Sequence, residues 1–118
     1  MAGILICDDA MFMRQALIQI VKGAGHTVVA EAENGEQCIK KYLAYKPDIV
    51  LMDITMPDMD GLEATKRIVE ADGSAKIIMV SAMGQQDKVF SAIAAGAKDF
   101  IVKPFEKQKI IDCINKYV

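Results

Sequence analysis

The sequence predicts a single α/β domain in which a five-stranded parallel sheet is covered by helices on both faces. Short apolar runs alternate five times with segments whose apolar residues recur at helical spacing, which is the pattern of repeated βα units. The run at residues 49–52 is apolar at every position, as expected for a central strand that is covered on both faces. Because crossovers between parallel strands are right-handed, few topologies agree with this order of elements.

The predicted strands and helices follow one another in a regular order. The strands are expected at residues 4–7, 27–30, 49–52, 77–80 and 100–102. The helices are expected at residues 11–23, 35–45, 61–71, 87–95 and 106–117. Glycine or proline stands just after four of these helices or at their last residue, namely Gly23, Pro47, Gly73 and Gly96. The chain of 118 residues contains no linker or low-complexity tract, so we expect one domain over residues 1–118 with no output domain.

Composition and charge exclude several classes of protein. The hydrophobic fraction of 53% and the charged fraction of 25% are those of a folded globular domain. No apolar run approaches the roughly 20 residues that span a bilayer, and Asp8 and Asp9 interrupt the one N-terminal stretch that could be a signal peptide. A net charge of −2 is too balanced for nucleic-acid binding. We therefore expect neither a membrane nor a nucleic acid as a partner.

The cysteines bear on the cellular compartment. Cys7, Cys38 and Cys113 are odd in number, and their spacing is not that of a metal site. We interpret them as three reduced thiols, which predicts a cytoplasmic protein.

Charge is distributed unevenly along the chain. Residues 1–75 carry 12 acidic and 7 basic side chains, whereas residues 76–118 carry 4 acidic and 7 basic ones. This asymmetry can be a chance property of solvated helix faces. The alternative is that the C-terminal third presents a basic surface to an acidic partner.

Charged residues follow three of the predicted strands. Asp8 and Asp9 come after the first strand, Asp53 after the third and Lys103 after the fifth. Since the carboxyl ends of parallel strands share one edge of the sheet, these side chains are expected to converge. Two carboxylates about 5 Å apart repel by on the order of 3 kcal/mol at an effective dielectric near 20, which a bound cation offsets. Carboxylate oxygens suit Mg²⁺, for which Mn²⁺ can substitute. The pattern therefore predicts a metal site suited to phosphoryl transfer. The alternative is that the Asp pair caps the first helix.

Four motifs together resemble the receiver domain of two-component response regulators. They are Asp8-Asp9 after the first strand, Asp53 after the third, Ser81-Ala82 after the fourth and Lys103-Pro104-Phe105 after the fifth. The resemblance covers the whole chain and implies a flavodoxin-like (βα)5 three-layer sandwich with strand order 2-1-3-4-5. The segments at 53–57, 81–86 and 96–100 are similar to those of the single-domain chemotaxis regulators.

The resemblance implies a role for each residue at the strand edge. Asp53 would be the phosphoacceptor, with Asp9, Asp53 and the Thr55 backbone carbonyl as metal ligands and Asp8 acting mainly through water. A carboxylate that attacks phosphorus yields an acyl phosphate. Lys103 would supply positive charge to the phosphoryl group, and the resemblance implies a cis Lys103–Pro104 bond that aims the ammonium inward.

Other positions are assigned by the same resemblance to switching and to the lifetime of the phosphoryl group. Ser81 would donate a hydrogen bond to a phosphoryl oxygen, and Phe100 would occupy the aromatic switch position, although an ordinary core role for Phe100 is an open alternative. Thr55 and Met83 occupy the positions that tune dephosphorylation, and neither carries the amide or carboxylate that best orients water. We therefore expect slow self-dephosphorylation and a separate phosphatase. Gln86 is a further candidate for positioning water.

The resemblance also implies partners. A sensor histidine kinase would phosphorylate Asp53, and phosphorylation would shift a two-state equilibrium toward a form that binds an acidic segment of the flagellar motor switch protein. The candidate contacts are basic residues of the C-terminal third: Lys88, Lys98, Lys107 and Lys109. We expect a monomer that is not an enzyme toward other molecules and catalyses only its own phosphorylation and dephosphorylation.

Four other functions are alternatives to this one. A phosphorelay intermediary would use the same site. A haloacid-dehalogenase-type aspartyl phosphatase would carry an Asp-x-Asp motif that begins at Asp53. In this chain Thr55 stands where the second aspartate would be. An FMN carrier needs a phosphate loop rich in Gly, Ser and Thr after the first strand, where this chain has Asp8 and Asp9. An inactive receiver is disfavoured because every expected acidic and lysine position is filled.

Overall fold

The computed structural model describes residues 1–82 and 85–118, apart from the side chain of Gln86. Its strands are β1 (Gly3–Cys7), β2 (Thr27–Ala32), β3 (Ile49–Met52), β4 (Ile77–Ala82) and β5 (Asp99–Lys103). Its α-helices are α1 (Met11–Gly23), α2 (Gly35–Tyr45), α3 (Gly61–Ala71), α4 (Val89–Ala95) and α5 (Lys107–Tyr117). Among the described helices, none combines the length and the apolar character that a membrane crossing requires.

All strand pairs are parallel, and the strand order is β2-β1-β3-β4-β5. This confirms the predicted flavodoxin-like topology. The register sets Cys7 beside Met52, and Met52 beside Met79. The residues that directly follow β1 and β3 are therefore brought together at one edge of the sheet.

The sheet separates two apolar layers because alternate residues of each strand point to opposite faces. On one face, Leu5 and Val50 pack with residues of α2, α3 and α4. On the other face, Ile4 and Ile49 pack with residues of α1 and α5. The central strands β1 and β3 are buried on both sides, as the continuous apolar run at residues 49–52 predicted for β3.

The structure changes the bounds of several predicted elements. β4 extends to Ala82 because it pairs with β5 as far as Lys103, so Ser81 lies within the strand rather than after it. The predicted fourth helix at residues 87–95 is instead a 3₁₀ turn, Gln86–Lys88, followed by a short α4. Lys88, the N-cap residue of α4, makes no side-chain capping hydrogen bond.

The prediction of three reduced thiols was wrong for two of the cysteines. Cys7 at the end of β1 and Cys38 in α2 are paired as a disulfide, with Cα atoms 6.2 Å apart. Cys113 is a free, buried thiol. No local pattern indicates the pairing, because 31 residues separate the partners and they meet through the packing of α2 on β1.

Candidate metal site at the carboxyl edge of the sheet

Backbone hydrogen bonds hold the acidic residues at the ends of β1 and β3. The Asp53 amide donates to the Cys7 carbonyl at 2.8 Å, and the Asp8 amide donates to the Ala32 carbonyl at 3.0 Å. One carboxylate oxygen from each of Asp8, Asp9 and Asp53 lies within 4.8 Å of the others. The predicted convergence of these three side chains is therefore confirmed.

Helix capping does not account for the aspartate pair. The N-cap residue of α1 is Ala10, and no side chain caps this helix. The Asp8 carboxylate instead accepts from the Ala10 amide at 2.9 Å and from Lys103 Nζ at 2.8 Å. Asp8 is only 2% exposed, whereas Asp9 is open to solvent. The site therefore has one buried, hydrogen-bonded carboxylate, that of Asp8, and one solvent-accessible carboxylate, that of Asp9.

Asp53 is a buried carboxylate in an acidic environment. It is 7% exposed. Burial raises its pKa, and Asp8 and Asp9 act in the same direction, whereas Lys103 and the backbone amide of Ile54 lower it; the net shift is upward. The ionised form of Asp53 is thus disfavoured by its surroundings, and a cation beside the three carboxylates would favour it.

The donor set fits a hard divalent cation. Octahedral Mg²⁺ binds oxygen at about 2.0–2.1 Å and commonly keeps several waters, so carboxylates spaced as these are can share one ion directly or through water. The three carboxylates are hard oxygen ligands, and no sulfur or imidazole donor belongs to the described cluster. Thr55 is exposed two residues after Asp53, and coordination by its backbone carbonyl stays a prediction.

Lys103 reaches the site from the end of β5. Its Nζ lies 2.8 Å from Asp8 Oδ2 and 3.7 Å from Asp53 Oδ2. The Lys103–Pro104 peptide bond is cis, as predicted. One ammonium therefore lies between two buried carboxylates.

Ser81 and a neighbouring glutamine complete the described site. Ser81 is fully buried on β4, and its Oγ lies 3.4 Å from Asp53 Oδ1. The Ser81 hydroxyl also donates to Gln85 Oε1, and Gln85 Nε2 donates to Thr55 Oγ1 at 2.6 Å. Sequence reasoning missed Gln85, although its place four residues after Ser81 in the 81–86 segment was a usable signal.

Arg14 is a second residue that sequence reasoning missed. Its buried guanidinium donates through Nη1 to the Asp8 backbone carbonyl at 2.7 Å and through Nε to Glu31 at 3.0 Å, with Glu33 at 3.5 Å. Buried arginine is uncommon unless it is paired. Arg14 thus ties the start of the acidic loop to the end of β2.

Gly61 allows the loop after β3 to fold closely over the site. Its amide donates to the Ile54 carbonyl at 2.7 Å. A Cβ at this position would lie 1.9 Å from the Asp53 backbone oxygen. Glycine is required here because the helix start and the strand end approach more closely than any side chain permits.

The remaining candidates are less closely tied to the site. Phe100 is half-buried and packs against the layer that contains Leu5, which agrees with a core role; its switch role stays a prediction. Met83 lies outside the described residues, as does the side chain of Gln86.

Of the four candidate lysines, Lys107 borders a cleft between α1 and α5, whereas Lys109 borders a cavity beside Asp99, so these two have different surroundings. Lys98 is exposed and Lys88 is half-buried.

Comparison with known proteins places this arrangement in a family. Residues 4–115 match the model of the response regulator receiver domain. The chain is 58% identical to the chemotaxis protein CheY of Listeria monocytogenes over 116 residues, which cover 98% of each chain. It is also 58% identical to CheY of Bacillus subtilis over 113 residues, which cover 96% of this chain and 94% of that protein.

A solved structure agrees with the sequence comparison. The crystal structure of a CheX–CheY–BeF3–Mg²⁺ complex from Borrelia burgdorferi contains a chain that is 38% identical to this one and superposes with a TM-score of 0.92. The match covers 97% of this chain and 87% of that one. The chain belongs to the response regulator receiver domain family. It is a CheY-like member, and this assignment replaces the phosphatase and FMN-carrier alternatives.

Proposed function

We propose that this protein is a phosphoacceptor of a two-component chemotaxis pathway and that Asp53 is the residue that receives the phosphoryl group. The main support is the buried Asp53 carboxylate, which lies beside Asp8, Asp9 and Lys103 at the carboxyl edge of a parallel sheet. The chemotaxis assignment is supported by its 58% identity to CheY proteins over nearly the whole chain.

The reaction follows from the chemistry of these side chains. An Asp53 carboxylate oxygen attacks phosphorus, a P–O bond forms, and the bond between phosphorus and the donor's leaving atom breaks, so that the leaving group departs with the bonding electrons. For a histidine kinase, that atom is a ring nitrogen of phosphohistidine. Mg²⁺ held by Asp8, Asp9, Asp53 and the Thr55 carbonyl would neutralise charge on the phosphoryl oxygens.

Lys103 and Ser81 act on the product. The Lys103 ammonium, now 3.7 Å from Asp53 Oδ2, can pair with an anionic phosphoryl oxygen. The Ser81 hydroxyl, 3.4 Å from Asp53 Oδ1, can donate to another. Phe100 on the neighbouring strand would follow the movement of Ser81 by repacking. These shifts would change the surface around α4, β5 and α5, which we propose as the partner-binding region.

The proposed partners are a sensor histidine kinase and an acidic segment of the flagellar motor switch protein. The excess of basic over acidic side chains in residues 76–118 supports this choice. Lys88, Lys98, Lys107 and Lys109 are the proposed contacts. We further propose a monomer that acts on no external substrate. We also propose that it works in the cytoplasm, which its similarity to CheY proteins supports and its cysteines do not, since two of them form a disulfide. It would depend on a separate phosphatase, since Thr55 offers no amide or carboxylate to orient water.

Intact mass spectrometry tests the central claim. Protein incubated with acetyl phosphate and Mg²⁺ should gain one phosphoryl group that alkali and hydroxylamine remove, and chelation by EDTA should prevent the gain. Asp53→Asn should abolish it, whereas the matched variant Asp58→Asn, in an exposed position of the following loop, should not. A phosphoryl group that persists in Asp53→Asn would contradict the assignment.

A further inference from the structure

Gln85 bridges two segments that flank the proposed phosphoacceptor. Its side-chain amide donates to Thr55 Oγ1 at 2.6 Å, and its Oε1 accepts from the Ser81 hydroxyl. Thr55 belongs to the loop between β3 and α3, whereas Ser81 belongs to β4. One side chain thereby joins the end of β4 to the loop that follows Asp53.

In this bridge the Ser81 hydroxyl already donates the hydrogen that it would need for a hydrogen bond to the phosphoryl group. A serine hydroxyl has only one proton to donate. Asp53 Oδ1 lies at 3.4 Å, at the long limit for a hydrogen bond, and Gln85 Oε1 is the closer acceptor. In the unphosphorylated form, the Ser81 proton is thus directed toward Gln85 and away from the Asp53 carboxylate.

We propose that Gln85 is a positioning residue that stabilises the unphosphorylated form by holding the Ser81 hydroxyl and the loop that contains Thr55. This inference rests on the proposed function and adds a specific regulatory contact to it. An anionic phosphoryl oxygen accepts a stronger hydrogen bond than a neutral amide oxygen does. Phosphorylation of Asp53 therefore breaks the Ser81–Gln85 bond, and Gln85 sets how readily this happens.

The first test measures binding of beryllium fluoride, a phosphoryl analogue, in the presence of Mg²⁺. Gln85→Leu keeps most of the side-chain volume but cannot hydrogen-bond, and Gln85→Ala serves as a second variant should the leucine disturb folding. Both should bind BeF3⁻ about 3- to 10-fold more tightly, which is the range for one neutral hydrogen bond. Gln19→Ala, an exposed glutamine of α1, should leave the affinity unchanged.

A double-mutant cycle separates positioning from a general effect on the loop. In a Ser81→Ala background, Gln85→Leu should tighten BeF3⁻ binding by less than in the unmodified protein, because only the contact with Thr55 is left to release. Thr55→Val, which keeps the shape of the side chain but removes its hydroxyl oxygen, should reproduce part of the gain. Unchanged or weaker binding in both Gln85 variants would overturn the proposal, as would a gain of equal size in the Ser81→Ala background.

The outcome also distinguishes this proposal from the function on which it rests. If the unmodified protein takes neither BeF3⁻ nor the phosphoryl group of acetyl phosphate, both the proposed function and the role of Gln85 are wrong. If the unmodified protein takes both and the Gln85 variants bind BeF3⁻ no more tightly, only the role of Gln85 is wrong.

Discussion

Lys103 Nζ lies 2.8 Å from Asp8 Oδ2 but 3.7 Å from Asp53 Oδ2, so the lysine contacts Asp8 more closely than the proposed nucleophile. Asp8 is also held by the Ala10 amide. Lys103 is partly buried, and the pair is thus screened less than a surface ion pair. The Lys103 ammonium is thus held close to Asp53, where an incoming phosphoryl group can attract it.

Lys103→Met should strengthen Mg²⁺ binding but slow phosphoryl transfer. Loss of the ammonium leaves three carboxylates without their cation, so we expect Mg²⁺ to bind more tightly, by about 3-fold or more. Phosphorylation by acetyl phosphate should slow by about 10- to 100-fold, because no cation follows the phosphoryl group. Isothermal titration calorimetry and intact mass spectrometry measure the two effects.

The control for this variant is Lys40→Met, which removes an exposed lysine of α2. It should change neither Mg²⁺ affinity nor phosphorylation. Weaker Mg²⁺ binding in Lys103→Met would contradict the view that lysine and metal neutralise the same carboxylates.

Asp53→Asn should stabilise the metal-free protein at neutral pH. The pKa of Asp53 in the folded state is raised, chiefly by burial, so the folded state binds the proton more tightly than the unfolded state does. The contribution of Asp53 to stability therefore falls as the pH rises from its unfolded pKa of about 3.9 through the raised folded value. The gain from Asp53→Asn should be largest above this window and small below it.

Thermal unfolding with and without Mg²⁺ measures this effect. At pH 7, Mg²⁺ should raise the Tm of the unmodified protein more than that of Asp53→Asn, since the metal offsets the same repulsion. A lower Tm for metal-free Asp53→Asn at pH 7 would show that the ionised carboxylate is stabilised by its surroundings, contrary to the upward shift.

Arg14→Met should destabilise the fold through the loop that carries Asp8. The buried guanidinium donates to the Asp8 carbonyl at 2.7 Å and pairs with Glu31. Its removal leaves a buried carbonyl without this donor, and hydrogen bonds that involve a charged group contribute about 1.5–3 kcal/mol. We expect a loss of about 2 kcal/mol in the free energy of unfolding, measured with urea.

Arg67→Met provides the comparison for Arg14. Arg67 pairs with Glu63 one turn away on α3, and both side chains are about half exposed. Exposed helix pairs of this kind contribute about 0.3–0.5 kcal/mol. Equal losses for the two variants would mean that burial of Arg14 has no special effect on stability.

Gly61→Ala should distort the acidic site although the substitution changes no charged side chain. The added Cβ would lie 1.9 Å from the Asp53 backbone oxygen, so either the strand end or the start of α3 must move. We expect a loss of about 1–3 kcal/mol in stability together with weaker Mg²⁺ binding. Gly73→Ala is the matched control, because nothing lies within 4 Å of a Cβ built there. Normal Mg²⁺ binding by Gly61→Ala would show that the site tolerates a shift of the Asp53 main chain.

Much of the architecture could be predicted because periodicity and strand-end residues are local properties of the chain. The alternating pattern predicted each of the five βα units, and the positions of Asp8, Asp9, Asp53 and Lys103 predicted where the site lies. Element ends were less well predicted. The pairing of Ala82 with Lys103, a contact between distant segments, lengthens β4 and draws Ser81 into the strand.

The fold class, the strand edge that carries the acidic cluster and the family resemblance could all be read from the chain alone, because each depends on residue type and spacing. Three features are seen only in the folded protein: the disulfide between Cys7 and Cys38, the burial of Arg14 under the Asp8 loop and the bridge from Gln85 to Ser81 and Thr55. These contacts join side chains from different βα units or across a loop. Their partners are selected by how the helices pack on the sheet, and no local pattern in the chain encodes that choice.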